Sequence, residues 1–459
     1  MRRPAGTALA LALAPLVWAA PAAAASEPTC QGQPATIVGE PGGSVRGTDG
    51  PDVVVSDGAR WVVTGAGDDV VCLTGSSDDG HRVRFASGAG HDSVVVTSTE
   101  AVTGHLGHGE DTFVGGDERD LVRGGELESV EIGGDTGEQY VDRDRDTIST
   151  GGGDDGVAAS NDDTVSLGRG DDGMNREVLA GAPYAGDVDG GPGRNFLGLN
   201  VSGDAGKDAG SWVLDTHAGT FSRNGETHLS LTDFTGFQVR FAKADEELRV
   251  RGSRRHESFE AYGQDGLVET TLSISAGGGN DEIYVGRAGY DLDDVLVRSI
   301  DGGPGRDRLV VSQYEGPSVF RLDLAAGAYR YGNRGTTTKV PVAGIEHAQV
   351  TGIPFLTMRG SSSGNRLAVT LPTGWQAFER CRVLLSGRGG DDLLRVLEGP
   401  RSRSTSCPGP VLRGERGSDL LVGSQGDETL VGGPGRDVAR GGPGRDVCRA
   451  EVRMGCERR

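Results

Sequence analysis

Short runs in which apolar and polar positions alternate recur along the chain. Examples are FQVRF at 237–241 and LRVRG at 248–252, and the period of two reads as strand. After the first 25 residues no stretch carries the three- and four-residue apolar spacing of an ordinary amphipathic helix. The runs are separated by glycine and acidic residues rather than by helix signals, so the pattern predicts an all-β chain.

The clearest periodicity is nine residues long. GERGSDLLV, GSQGDETLV, GGPGRDVAR and GGPGRDVCR follow one another from Gly414 to Arg449. Position six holds Asp419, Glu428, Asp437 and Asp446, and position eight holds Leu421, Leu430, Ala439 and Cys448. Further copies begin at Gly47, Thr64, Ser87, Leu106, Gly115, Thr150, Leu167, Ala276, Gly302 and Gly387. Their sixth positions are Asp52, Asp69, Asp92, Asp111, Asp120, Asp155, Asp172, Asp281, Asp307 and Asp392. A copy at Gly190 puts Asn195 where the acid belongs, and the copies at Gly124 and Gly133 are broken.

Such a unit reads as a six-residue turn and a three-residue strand. Glycine at positions two and four opens backbone angles closed to other residues, so carbonyl oxygens can converge, and the acid adds a carboxylate. Calcium takes roughly 6–8 oxygens at about 2.3–2.6 Å, more than one turn supplies. If two units of nine complete one coil, units 18 residues apart stack on one edge and a cation fits between them. The eighth residues, among them Val54, Val94, Phe113, Ile283, Leu309 and Leu421, then point inward as a shared core. On this scheme Asp419 pairs with Asp437 and Glu428 with Asp446. The second pair is expected to bind calcium more weakly, because Glu428 is longer and Ser424 replaces a glycine.

These units resemble the RTX, or haemolysin-type calcium-binding, repeat family, whose consensus is GGxGxDxUx. The resemblance implies a right-handed parallel β-roll or β-helix solenoid with Ca2+ in its turns, held by the fourteen acids named above. It is close over the last four units and looser over about half of the mature chain. A glycine-rich disordered linker would have no use for the periodic apolar eighth position.

A longer repeat lies between the nonapeptide blocks. VLDTHAGTF at Val213 matches RLDLAAGAY at Arg321, pairing Asp215 with Asp323 and Gly219 with Gly327. Gly236 pairs with Gly344 and Arg251-Gly252 with Arg359-Gly360, all at an offset of 108. The organisation expected is a leader at 1–25, a degenerate repeat region at 26–189, two module copies at 190–300 and 301–400, and C-terminal repeats with a cap at 401–459.

Composition agrees. Glycine makes up 79 of 459 residues without a collagen period, and aromatics are only 5 %. The net charge of -21, 67 acids against 46 bases, argues against nucleic acid and suits cations. Arg2 and Arg3, the apolar stretch Ala8–Ala20 and the site Ala23-Ala24-Ala25 read as a secretory signal. No later segment is apolar enough to span a membrane. The expectation is a secreted, extracellular protein, and 43 Arg against 3 Lys suggest a GC-rich, actinobacterium-like source. Six cysteines in an exported chain suggest three disulfides. Nearest neighbours would pair Cys30–Cys72, Cys381–Cys407 and Cys448–Cys456, one of 15 pairings. Zinc competes with this reading, but the wide spacings and absent CxxC disfavour it.

Enzyme signatures are weak. HExxH is absent, and His105-Leu-Gly-His108 reads as turn histidines rather than a helical metal pair. GSSSG at 360–364 formally matches a nucleophile elbow, but NRLAVTLP after it reads as a strand where the elbow needs a helix. Ser362 is therefore read as a loop residue. The function expected is a calcium-binding repeat protein with a structural or adhesive role, calcium-coupled folding, no catalytic residues and cell-surface or extracellular polysaccharide as a candidate partner. The alternative is a parallel β-helix lyase or epimerase acting on acidic polysaccharide.

Overall fold

The computed structural model describes residues 27–457 except 78–79, 133–134, 142–143, 161, 180–185, 203–209, 242–245, 264–269, 287–294, 314–318, 334–335, 372–381 and 398–408. Among them there is no helix. The expected leader and the Cys381–Cys407 pair lie outside the described residues.

Two long parallel sheets face each other, and each coil contributes a strand to both. The first sheet runs from Ser44–Arg46 to Val452–Met454, the second from Ile37–Val38 to Val447–Arg449. The inward positions repeat coil after coil. In the second sheet Val54, Val71, Val94, Phe113, Ile148 and Val165 lie in one register column, all buried. Leu309, Leu367, Leu394, Leu421 and Ala439 belong to the facing column in the first sheet, also buried. Phe237 and Phe259 stack across neighbouring coils at 5.7 Å. Every eighth-position residue singled out from the sequence is in this core. A three-residue strand can bury only one side chain, which is why the repeat fixes a single apolar position.

The 18-residue coil holds only at the C-terminus. There Leu421 pairs with Ala439 and Leu430 with Cys448, and units alternate between the two edges as expected. In the N-terminal region consecutive copies stack directly on one edge, with spacings of 17, 23 and 19 residues between their acids. The half-coil between them carries no nonapeptide turn. The largest expansion contains an antiparallel hairpin, Glu126–Ile132 against Asp135–Val141.

Both stretches of the long repeat fold an antiparallel excursion of the second sheet. Ser211–Asp215, Thr220–Arg223 and Glu226–Thr232 form one; Val319–Asp323, Ala328–Asn333 and Thr336–Ala343 form the other. The Arg251–Asp215 pair at 3.7 Å matches Arg359–Asp323 at 3.9 Å. The pairing of Gly236 with Gly344 is not structural, because the second excursion is longer. Gly344, with φ 58°, corresponds to Asp233, with φ 56°; the carbonyl of each faces the first glycine of the stacked turn, Gly302 and Gly190 respectively.

Cys30 and Cys72 are disulfide-bonded over a small side core with Val55, and Cys448 is bonded to Cys456. Cys448 is fully buried, so the second bond ties the C-terminal segment over the last coil.

Candidate metal centre

The sixth-position acids are buried and stacked into ladders along both edges. Most of these carboxylates accept, through the first oxygen, the backbone N–H of the ladder residue one coil earlier; Asp120 accepts instead from the N–H of Val102, and Asp52 from the hydroxyl of Thr36. On the edge before the second sheet, Asp69 accepts from Asp52 at 2.8 Å, Asp92 from Asp69 at 2.9 Å and Asp111 from Asp92 at 2.7 Å. On the edge before the first sheet, Asp155 accepts from Asp120 and Asp172 from Asp155, both at 2.8 Å. Farther along that edge Asp307 accepts from Asp281, Asp419 from Asp392 and Asp437 from Asp419. Glu428 and Asp446 form the C-terminal rung of the other edge, at 2.8 Å. An exposed outer ladder runs the opposite way: Asp171 donates its N–H to Asp154, Ser418 to Asp391 and Arg445 to Asp427.

The second oxygen divides these turns into two kinds. Asp52, Asp120 and Glu428 are capped within their own turn by the N–H of position two, from Thr48 at 2.7 Å, Gly116 at 3.2 Å and Ser424 at 3.0 Å. The hydroxyls of Thr48 and Ser424 donate to the same carboxylates. In the other kind, position two is left-handed and no cap forms. The second oxygens of Asp69, Asp92, Asp155, Asp172, Asp281, Asp307, Asp392, Asp419, Asp437 and Asp446 are buried without a hydrogen-bond partner. Their position-two residues all have φ between 73° and 118°. The hydroxyls nearest Asp69 and Asp155, of Thr64 and Thr150, already donate to Ser87 and Leu167 carbonyls. A buried acceptor left unpaired costs about 1–3 kcal/mol, so ten in one molecule need an explanation.

The surroundings of these oxygens are themselves acceptors. A Cβ on Gly435 (φ 151°) would strike the carbonyl oxygen of Gly417, and one on Gly444 that of Gly426, so turn carbonyls point at the next turn on the edge. A Cβ on Gly432 would strike the second oxygen of Asp437. Asn195 shows what the geometry demands. Its oxygen takes the ladder role, accepting from Asp172 at 3.0 Å, and its amide nitrogen donates to the carbonyls of Gly191 at 2.8 Å and Asp233 at 3.0 Å. Where aspartate stands instead, oxygen faces oxygen, and a cation resolves that arrangement. Burial accordingly pushes Asp92, Asp155, Asp281 and Asp392 up to about 7 and Asp120 and Asp446 up to about 6. Among the described residues no three carboxylate, imidazole or thiol side chains converge. A cation here would draw mainly on backbone oxygens, which suits a hard ion such as calcium.

The ladder also contains residues the nonapeptide pattern missed. Asp146 and Asp163 continue the edge after Asp111. Glu257 and Asn365 stand in line with Asp281 and Asp392, and Glu346 caps Asp307. Each precedes a buried residue by two, as in Asp146-Thr147-Ile148 and Asn365-Arg366-Leu367, a signal readable without the glycines. GSSSG is one of these degenerate turns. Ser361 caps Asn365 at 2.6 Å as Ser253 caps Glu257 at 2.8 Å, and exposed Ser362 leads into strand Arg366–Thr370. His105 and His108, read as turn residues, lie on strand Val102–His108 because its edge glycines extend the ladder pairing.

A parallel solenoid whose turns combine one carboxylate with converging carbonyls defines a calcium-binding β-roll. Residues 411–439 and 422–451 match the family model of the RTX calcium-binding nonapeptide repeat, in four copies. No curated protein is detectably similar to the chain.

Proposed function

We propose that this is an extracellular calcium-binding protein with a structural role and no catalytic centre of its own, whose folding is coupled to calcium. The reading rests on the buried, unpartnered second oxygens of the uncapped acids. Asp69, Asp92, Asp155, Asp172, Asp281, Asp307, Asp392, Asp419, Asp437 and Asp446 would hold calcium, and Asp111 follows a position-two glycine, Gly107, of the same left-handed conformation. Asp52, Asp120 and Glu428 would keep their coils in register through their own N–H caps. Calcium would supply only charge neutralisation and coordination between stacked turns.

The test is equilibrium dialysis of the full chain against calcium. Asp281→Asn and Asp392→Asn should each lower the bound calcium, whereas Asp52→Asn should leave it unchanged. Equal losses in all three variants would contradict the division into capped and uncapped turns.

A further inference from the structure

The outer face of the first sheet is rich in arginine for so acidic a molecule. Its two central outward columns carry arginine at seven rungs and an acid at only two, Glu260 and Glu282. Both acids are already engaged. Gln238 donates to Glu260 at 2.8 Å, and Glu282 accepts from Arg308 at 2.8 Å and from Tyr284. Three of these arginines, Arg308, Arg366 and Arg395, line one cavity of about 370 Å3 with Arg306, His347 and Gln349, and its lining also includes Asp281 and Glu282.

Register places these groups on successive rungs. Arg308, His347 and Arg366 are direct neighbours in one column, and Gln349 and Arg395 belong to the next. Rungs are about 4.8 Å apart, comparable to the length of one sugar ring in a linear chain. Arg308 is held by Glu282 and Gln349. His347 accepts the N–H of Arg366 through Nδ1 at 3.1 Å, which leaves its Nε2–H as a neutral donor. Arg366 and Arg395 are exposed and their guanidinium groups have no acidic partner among the described residues. Along the same face lie Tyr284 and exposed Phe196 at a second cavity of about 410 Å3, and then Trp61 with Arg84 4.7 Å over its ring. Flat aromatic faces, amides and three arginines over four successive rungs suit a polymer of pyranose rings carrying sparse anions. A densely charged phosphate polymer would meet the acidic edges of a molecule at -21.

We propose that this face binds a linear carboxylate-bearing polysaccharide, with Arg308, His347, Arg366 and Arg395 receiving its uronate groups. The acids along the edges hold the solenoid, and the arginine face meets the partner.

The test uses the calcium-loaded full chain and hyaluronan as the probe, with neutral dextran and single-stranded DNA as controls. Hyaluronan should bind, with an affinity that falls as salt rises, and dextran and DNA should not. Arg366→Gln with Arg395→Gln should weaken hyaluronan binding about tenfold or more through the loss of two charge-assisted contacts, with calcium content unchanged. Binding retained in that variant would mean that calcium bridges the glycan to the acidic edges, and would overturn the proposal. So would binding of DNA in preference to hyaluronan, or no binding of hyaluronan.

Discussion

Residues 414–457 and residues 47–172 use the same turn and build different coils from it. At the C-terminus both edges carry nonapeptides and successive ladder acids are 18 residues apart. In the N-terminal region consecutive copies stack on one edge from Asp52 to Asp111 and on the other from Asp120 to Asp172, and the spacing stretches to 23 and, across the hairpin, to 35 residues. The ladder hydrogen bond is the same length in both, 2.9 Å at Asp419–Asp437 and at Asp111–Asp146. Register is therefore set by one buried acid and one apolar residue per edge, and the chain between is free to vary. The nonapeptide encodes a turn; the coil is assembled from whatever lies between two such turns.

If that is so, the largest single-residue effect should come from deleting a rung. Asp392→Ala leaves the buried N–H of Asn365 without its acceptor, a loss of about 1–3 kcal/mol. It should lower the denaturation midpoint even in calcium. An equally large loss from Asp391→Ala, on the exposed outer ladder, would contradict the primacy of the inner one.

The calcium-free chain should respond next to pH. Burial raises Asp92, Asp155, Asp281 and Asp392 from 3.8 to about 7. A raised folded pKa gives stability that is complete below the ordinary value and lost as pH climbs through the raised one. In chelator, strand content should thus be greater near pH 5 than near pH 8, where the carboxylates ionise against the turn carbonyls. A protonated carboxyl can donate to them as the Asn195 amide does. Thermal melts in chelator across that range provide the check, and a midpoint rising with pH would contradict the account.

A smaller effect separates the two C-terminal edges. Asp437→Ala should cost more calcium affinity than Asp446→Ala in titration calorimetry of the full chain. The rung below Asp437 is uncapped Asp419, whereas the rung below Asp446 is Glu428, already capped by Ser424. The smallest change is Ser424→Gly, which removes the hydroxyl cap and permits the left-handed turn. It should strengthen calcium binding on that edge modestly. A decrease would show that the serine is not what closes the turn.

Much of this was legible in the residues. The apolar eighth position and the sixth-position acid carried the solenoid, and nearest-neighbour pairing, one of 15 options for six cysteines, matches both described disulfides. The coil length was not legible outside the last four units, because spacing between turns is set by insertions that carry no periodicity. Nor were Asp146 and Asp163, which keep the acid and the core residue but lack the glycines. The capped turns do have a signature in hindsight: Gly-Thr at 47–48 and Gly-Ser at 252–253, 360–361 and 423–424 each precede a self-capped ladder residue. Gly116 has no such signature, and only its backbone conformation reveals the cap.

The central claim is that buried carboxylate oxygens left without donors are completed by calcium. Far-UV circular dichroism of the full chain at pH 8, in chelator and then in excess calcium, tests it most directly. The account predicts little strand signal in chelator and its recovery on adding calcium, with magnesium failing to substitute because it demands a tighter octahedral shell. Superimposable spectra with and without calcium would contradict it.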